Sequence, residues 1–385
     1  MTEVHGTTAE GFTGVTEAFQ RNFDEFGEVG AACCVYVDGV PVVDVWGGLA
    51  DQASGRAWES DTLQLHFSTT KGLAAICAAM LYERGLLDYE APVSQYWPEF
   101  AGGGKGGITV AQCMSHRSGL AAVDTPLTLD EIWAVEPVLR AIEAQEPLWE
   151  PGSANGYHAI TYGWIAAEIL HRLTGVRMNA WLQEHVVTPL GAEFWMGLPE
   201  AQNHRVSPVR AAAPPTDPAA LERILAMFAP GAMGGRALTL DMSLGLLDAD
   251  MSWNRPDVWP SEIPAAGGIT NAASLARIYA ATIGEVDGVR LFGDDTRTLV
   301  TTPVTSGMDK SLLLDTKFGM GFMLTDGILP WIGPRTFGHV GAGGSAGYAD
   351  PDLGIGFGYV MNQMAPGILG DERSGALTAA VRGCL

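Results

Sequence analysis

Near the N-terminus apolar residues recur at intervals of three and four: Phe12, Val15, Phe19, Phe23 and Phe26. That spacing predicts one stripe of an amphipathic helix. The pattern then changes to two β-rich runs, 31–37 and 40–46, joined by Asp38-Gly39, the strongest short-range hairpin signal. A helix followed by an antiparallel hairpin argues against a simple parallel βαβ sheet. A short run at 63–67 leads into Ser68-Thr69-Thr70-Lys71, after which Leu73, Ile76, Cys77, Met80 and Leu81 keep helical period. Arg84-Gly85 supplies the stop, with glycine where a left-handed C-cap is wanted.

Beyond a glycine-rich loop at 102–107 the chain reads as mostly helical to about residue 250, with helices predicted at 110–115, 130–144, 162–173, 178–185 and 219–228. After about residue 264 the character shifts back. A helix at 271–283, capped by Thr270 or Asn271, precedes strands at 319–325, 336–339, 347–350 and 355–361 and a last helix at 374–381. A chain of 385 residues exceeds one compact core, so two units are expected. The order strands, helices, strands, helix predicts an α+β fold. A mixed domain would come from both chain ends (1–70 and 264–385), with a mainly helical domain (71–263) inserted between them.

Composition narrows the function classes. The chain is 47% hydrophobic and 17% charged, which excludes general disorder. Its 44 acidic and 22 basic residues give a formal charge of −22, a field that repels nucleic acid and anionic lipid. The four lysines (Lys71, Lys105, Lys310, Lys317) are dispersed. Five cysteines form no CxxC pair and read as reduced core residues. The polar, acidic start carries no export signal and no apolar run is long enough to span a bilayer, so a cytoplasmic protein is expected. The histidines show no metal-ligand spacing, and neither a dinucleotide-binding nor a Walker motif is present. No metal and no cofactor is expected.

Three segments hold candidate chemistry. Ser68 and Lys71, three apart at a helix start, share one face within hydrogen-bonding reach. A serine hydroxyl needs a base to become a nucleophile, and a lysine serves only if its pKa falls from about 10.4 towards neutrality. Alone, a Ser and a Lys three apart is a common surface pattern, but this pair sits in an apolar stretch where a lysine is expensive to bury. The second segment is the turn Glu150-Pro151-Gly152 followed by Tyr157-His158-Ala159; by itself this tyrosine reads as a packed side chain with a wet hydroxyl. The third, Gly338-His339-Val340-Gly341-Ala342-Gly343-Gly344-Ser345-Ala346-Gly347, has enough glycine to bring backbone N–H groups close to a ligand. It also matches the G-x-S-x-G of α/β-hydrolases, but no histidine follows Ser345, so Ser345 is rejected as a nucleophile of that type. His116, in Met114-Ser115-His116-Arg117-Ser118-Gly119-Leu120, reads as structural.

Ser68-Thr69-Thr70-Lys71, the segment 114–120, Tyr157-His158-Ala159 and His339-Val340-Gly341, in this order, resemble the class C β-lactamase and penicillin-recognising superfamily. The resemblance is nearest its esterase branch, the family VIII carboxylesterases. It implies an antiparallel sheet flanked by helices plus a helical domain, with the site in the cleft between them. It also implies roles: Ser68 as acylated nucleophile, Lys71 as its activating partner and Tyr157 as general base or proton shuttle. The backbone N–H groups of Ser68 and Ala342 would form the oxyanion hole, and His339 and Gly341 would lie at the substrate. The lactamase pattern places Asn where Ala159 stands, and Lys-Thr where His339-Val340 stand. Each charged hydrogen bond lost this way costs about 1.5–3 kcal/mol of binding to a β-lactam. The expectation is therefore a serine carboxylesterase for small or short-chain esters. A β-lactamase or D-amino-peptide hydrolase, and a non-catalytic binding protein on the same fold, are the alternatives.

Overall fold

The N-terminal stripe folds as the helix Thr13–Glu25, with Val15 and Phe19 fully buried. The structure is a computed structural model that describes every residue except 1, 216, 242, 246–251, 326–328, 330, 367, 368 and 370. Strands β1 (Val4–Thr8), β2 (Gly30–Val37), β3 (Val40–Asp51) and β4 (Arg56–Ala57) follow from the N-terminal part of the chain. Asp38 and Gly39 both take positive φ (47° and 80°), as a tight turn between twisted strands requires. Four short strands, β5 (Leu63–Leu65), β6 (Phe194–Met196), β7 (Val206–Ser207) and β8 (Gly268–Thr270), make a separate sheet in the order β6-β8-β5-β7. From the C-terminal part come β9 (Thr305–Met308), β10 (Asp315–Phe318), β11 (Met323–Leu324), β12 (Phe337–Val340), β13 (Ala346–Asp350) and β14 (Ile355–Met361).

These join in one antiparallel sheet of order β1-β3-β2-β14-β13-β12-β11-β10-β9, with β4 paired to β3. The seam between the chain ends is β2 against β14, from Val37 opposite Ile355 to Ala31 opposite Met361. The central strands are apolar without alternation because helices cover both faces. Along β13, Gly347 faces Leu275 and Tyr279 of the helix Ala272–Ala280, whereas the Tyr348 hydroxyl pairs with Thr378 of the helix Glu372–Gly383 (3.0 Å). The fold is thus an antiparallel sheet flanked by helices, and residues 70–239 add mainly helices.

Several local expectations change. The helix expected over 130–144 is two, Leu129–Trp133 and Glu136–Ala144, broken at Val135 with φ of +68°. Pro137 stands in the first turn of the second helix, where its missing N–H has no cost, whereas inside one continuous helix it would remove the bond to Trp133 O and its ring would clash with that carbonyl. The strand expected over 319–325 is instead β10 and β11 around a turn in which Gly319 N donates to Phe322 O (3.0 Å). Strands β6 and β7, two or three residues long, are too short to show alternation. The helices Met233–Thr239 and Asp294–Thr301 also escaped the pattern reading. All five cysteines are unpaired, and four are buried. Among the described residues no helix is long and apolar enough to cross a membrane.

A buried ionic knot fastens the chain ends. Arg373, in the last helix, donates from Nη1 to Glu28 Oε1 (2.9 Å) and from Nη2 to Asp371 Oδ2 (2.6 Å), while the Tyr359 hydroxyl of β14 donates to Glu28. Burial pushes the Glu28 carboxyl up to about 7, against the opposing pull of Arg373 and the Tyr359 hydrogen bond. Between pH 4.5, its ordinary value, and about 7 the folded chain therefore keeps a proton that the unfolded chain releases. Stability from this group is full below that window, falls as pH rises through it and levels off above. In urea unfolding, the wild type should lose up to about 3 kcal/mol relative to Glu28→Gln between those limits. A pH-independent difference would refute the assignment.

Candidate active site

Ser68 and Lys71 stand where β5 feeds a helix. His66 N donates to Gly268 O (3.1 Å) across the small sheet, and a 3-10 turn, Phe67–Thr69, then leads into the helix Thr70–Glu83. Phe67 takes φ of +44°, a strained value for a bulky residue that turns the chain sharply just before Ser68. Thr70 fastens the turn by donating its hydroxyl to Phe67 O (2.5 Å) and accepting from Gly268 N (2.9 Å). From Thr70 to Leu81 every residue of the helix is buried, so Lys71 points into the protein.

Its amine has two partners. Lys71 Nζ lies 2.9 Å from Ser68 Oγ and 2.8 Å from Ala265 O. No carboxylate pairs with it among the described residues, and burial pushes its pKa well below the ordinary lysine value. With one N–H committed to Ala265 O, a neutral amine can turn its lone pair to Ser68 Oγ. Ala265 reaches this position because Gly163, in the helix Thr161–Thr174, leaves room for it; a Cβ there would lie 2.2 Å from Ala265 N.

Tyr157 closes the third side. Lys71 Nζ sits 4.8 Å from the centroid of its ring. The hydroxyl is buried and makes no hydrogen bond of full geometry, yet Ser68 is near enough to favour its ionised form. Burial outweighs that influence and drives the phenol above its ordinary pKa, so it stays protonated. Asp309, which the sequence did not single out, anchors the loop by accepting from Tyr157 N (2.9 Å), Ser311 N (2.8 Å) and Leu312 N (2.9 Å).

Four buried histidines surround this group without adding charge. His158 accepts at Nε2 from Leu120 N (3.1 Å) and donates from Nδ1 to Gly156 O (2.6 Å), which fixes one neutral tautomer. His116 accepts at Nδ1 from His158 N (3.1 Å), and its ring lies 4.9 Å from that of Tyr157. His339 bonds through Nδ1 to Val340 O (2.7 Å), with its ring 6.1 Å from Tyr157. Burial lowers these imidazoles, His66 and His339 to about 3 and His158 to about 4.

Ala342 stands in the turn between β12 and β13, closed by Gly344 N on Gly341 O (3.1 Å). Its N–H makes no hydrogen bond among the described residues, and that of Ser68, in the first turn of its helix, has no acceptor within it. A narrow crevice opens beside Ser68, lined by Phe67, Tyr157, Ala159, Ile160, Leu238, Ala266, Ala342 and Leu369. His339 and Gly341 are buried and do not line it, nor do Trp149, Trp164, Phe318 or Tyr348. The apolar lining and the Ala265 carbonyl went unrecognised in the sequence, because neither carries a polar side-chain signature.

Comparison with known proteins places this geometry. The Beta-lactamase family model matches residues 19–380. The chain belongs to that family. Like its relatives it is a serine hydrolase, and the expected superfamily and fold hold. It is 33% identical to "Esterase/beta-lactamase LipL" of Mycobacterium tuberculosis over 97% of this chain and 86% of that protein. A solved family VIII carboxylesterase matches with a TM-score of 0.89 at 35% identity, covering all of both chains. A penicillin-binding protein homologue from Caulobacter crescentus matches with a TM-score of 0.88 at 34% identity, again over both whole chains.

Ser345 tests the reading of the glycine-rich segment. Its hydroxyl donates to His66 O (2.9 Å) and lies 3.0 Å from Thr69 Oγ1, so it ties the Ala342 turn to the turn holding Ser68, with no imidazole as its partner. Ser345→Ala should cost about 1–3 kcal/mol in denaturant unfolding while Ser68 still takes a fluorophosphonate label, located by mass spectrometry. A label that moves from Ser68 or disappears with Ser345 would contradict this.

Proposed function

We propose that this family member is a carboxylesterase acting on small or short-chain esters through an acyl-enzyme on Ser68. One observation carries the preference for esters: the crevice beside Ser68 is lined by apolar side chains and a phenol, with no cationic residue among those described. A β-lactam or a D-amino-peptide presents a carboxylate or amide that needs a charged or amide partner, and leaving such a group unpaired in an apolar crevice is costly. The acyl and alkyl parts of a simple ester need none. The name of the Mycobacterium tuberculosis relative, an esterase/beta-lactamase, covers both chemistries.

In the proposed first step neutral Lys71 takes the Ser68 proton as Oγ bonds to the ester carbonyl carbon. The oxygen becomes an oxyanion held by the N–H groups of Ser68 and Ala342. The C–O bond to the leaving group then breaks, and the proton passes from Lys71 by way of the Tyr157 hydroxyl to the departing alkoxide. Water, deprotonated by the same pair, then attacks the acyl carbon; the bond from that carbon to Ser68 Oγ breaks, Oγ takes back the proton, and the acid leaves. The depressed Lys71 and raised Tyr157 favour amine as base and phenol as shuttle over a resting tyrosinate. The crevice draws its lining from residues 1–70 and 264–385 (Phe67, Ala266, Ala342, Leu369) and from 71–263 (Tyr157, Ala159, Ile160, Leu238), which supports a cleft between the two proposed domains.

Ser68→Ala should lower turnover of an aryl acetate or butyrate by about 10³-fold or more and remove the fluorophosphonate adduct. Tyr157→Phe should cost about 10²-fold. The wild type should hydrolyse the acetyl ester at least about tenfold faster than nitrocefin, judged by kcat/KM. The reverse preference would favour a β-lactamase, and full activity in Ser68→Ala would reject the nucleophile.

A further inference from the structure

The turn carrying Ala342 is held from two opposite sides. From the nucleophile's side, Gly341 N donates to Ser345 O (2.8 Å) and Ser345 Oγ donates to His66 O (2.9 Å). From the far side, Arg373 donates from Nη2 to Gly343 O (2.9 Å), which also accepts from Ala365 N (2.9 Å). Gly343 has φ of +86° and is the third residue of a turn closed by Gly344 N on Gly341 O, the position where a type II turn needs positive φ. The second residue of such a turn is Ala342, whose N–H takes no part in closing it.

Arg373 does not reach this carbonyl by chance of surface packing. It is 2% exposed, and its other guanidinium nitrogens are committed: Nε to both Asp371 oxygens (3.2 and 3.0 Å) and Nη1 to Glu28 Oε1 (2.9 Å). Glu28 in turn is held by the Tyr359 hydroxyl and Val29 N (3.3 Å), and Asn22 Nδ2 donates to Arg373 O (3.4 Å). The planar fork is therefore fixed in direction by Asp371 at the start of the last helix and by Glu28, itself held from β14 by Tyr359, while the first helix holds the Arg373 main chain. On the turn's side, a Cβ at Gly344, where φ is +122°, would lie 1.8 Å from Asp371 Oδ2. Apolar packing would fasten the chain ends at less desolvation cost, but would give no directed bond to Gly343 O.

We propose that Arg373 is a positioning residue for ester hydrolysis: by holding the Gly343 carbonyl it fixes the turn, so that the Ala342 N–H two peptide units earlier points at the developing oxyanion. This rests on the acyl-enzyme reading given above. A donor swung away from the oxyanion loses its stabilisation of the transition state while ground-state ester binding, which depends on the apolar crevice, is spared.

The test is kinetic. Activity on an aryl butyrate is measured per active site, counted by exhaustive fluorophosphonate labelling, beside affinity for an alkyl boronic acid that becomes a tetrahedral adduct on Ser68. For Arg373→Met, kcat per site should fall about 10- to 100-fold with KM within about threefold, and boronate affinity should fall in step. Arg373→Lys, which keeps a donor and the charge, should recover part of the loss. Should Arg373→Met fail to fold, Arg373→Lys carries the test: a single ammonium cannot hold Glu28, Asp371 and Gly343 O together as the planar fork does, so kcat per site should still fall about threefold or more with KM spared. Unchanged kcat per site, or a loss seen only in melting temperature and in the number of labelled sites, would overturn the inference while leaving the esterase reading intact. A wild type that neither cleaves the ester nor labels at Ser68 would overturn both.

Discussion

An amine buried without a counter-charge is the constraint on which this structure turns. An isolated ammonium in a low-dielectric interior is so costly that the group gives up its proton instead. Lys71 meets that condition: it is fully buried, its partners are a hydroxyl and a peptide carbonyl, and no carboxylate faces it among the described residues. A carboxylate at the position of Ala265 O would have restored the charge on the amine. The close approach of the helix Thr161–Thr174 to Ala265 therefore matters as chemistry and as packing, since it delivers an acceptor without a negative charge.

The surrounding side chains obey the same rule. Four histidines beside a lysine would oppose one another if charged, and each is kept neutral by burial. Tyr157 stays a phenol for the same reason. A site made of neutral donors and acceptors has little charge of its own to reorganise when an oxyanion forms, which makes fixed N–H dipoles effective. Full charges are kept away from the crevice, in the pair of Asp371 and Arg373 behind the Ala342 turn.

How far this was legible in sequence depended on how local the signal was. The helix of the N-terminal stripe, the Asp38-Gly39 turn and the Asn271 cap each depend on a few adjacent residues and each forms as expected, except that Phe12 and Phe26 fall outside the helix as its caps and Phe26 is exposed. Ser68 and Lys71 were legible because three residues of helix bring two side chains together whatever lies elsewhere. The strands β6, β7 and β8 were not, since two or three residues cannot display a period and their pairing joins segments far apart in the chain. Asp309 and Arg373 act on backbone groups 152 and 30 residues away, and a peptide carbonyl or N–H leaves no mark in the sequence. The resemblance to a known superfamily supplied what spacing alone did not, namely that Tyr157 and the Ala342 turn converge on Ser68.

Two questions separate in this fold that a motif reading merges: how the serine is activated, and what the crevice admits. Under the proposed mechanism activation depends on the desolvation of Lys71 and on Ala265 O, both deep in the structure and indifferent to the substrate's far end. Admission would depend instead on the lining of the crevice, which includes Ala159, Leu238 and Leu369. A change at the second set leaves the first untouched, so one acylation apparatus can serve lactams in one relative and esters in another. In this chain Ala159, on the crevice lining, offers a methyl group and no hydrogen-bonding side chain. Under the proposed function the methyl costs an ester nothing, whereas a substrate amide placed beside it would find no side-chain partner there.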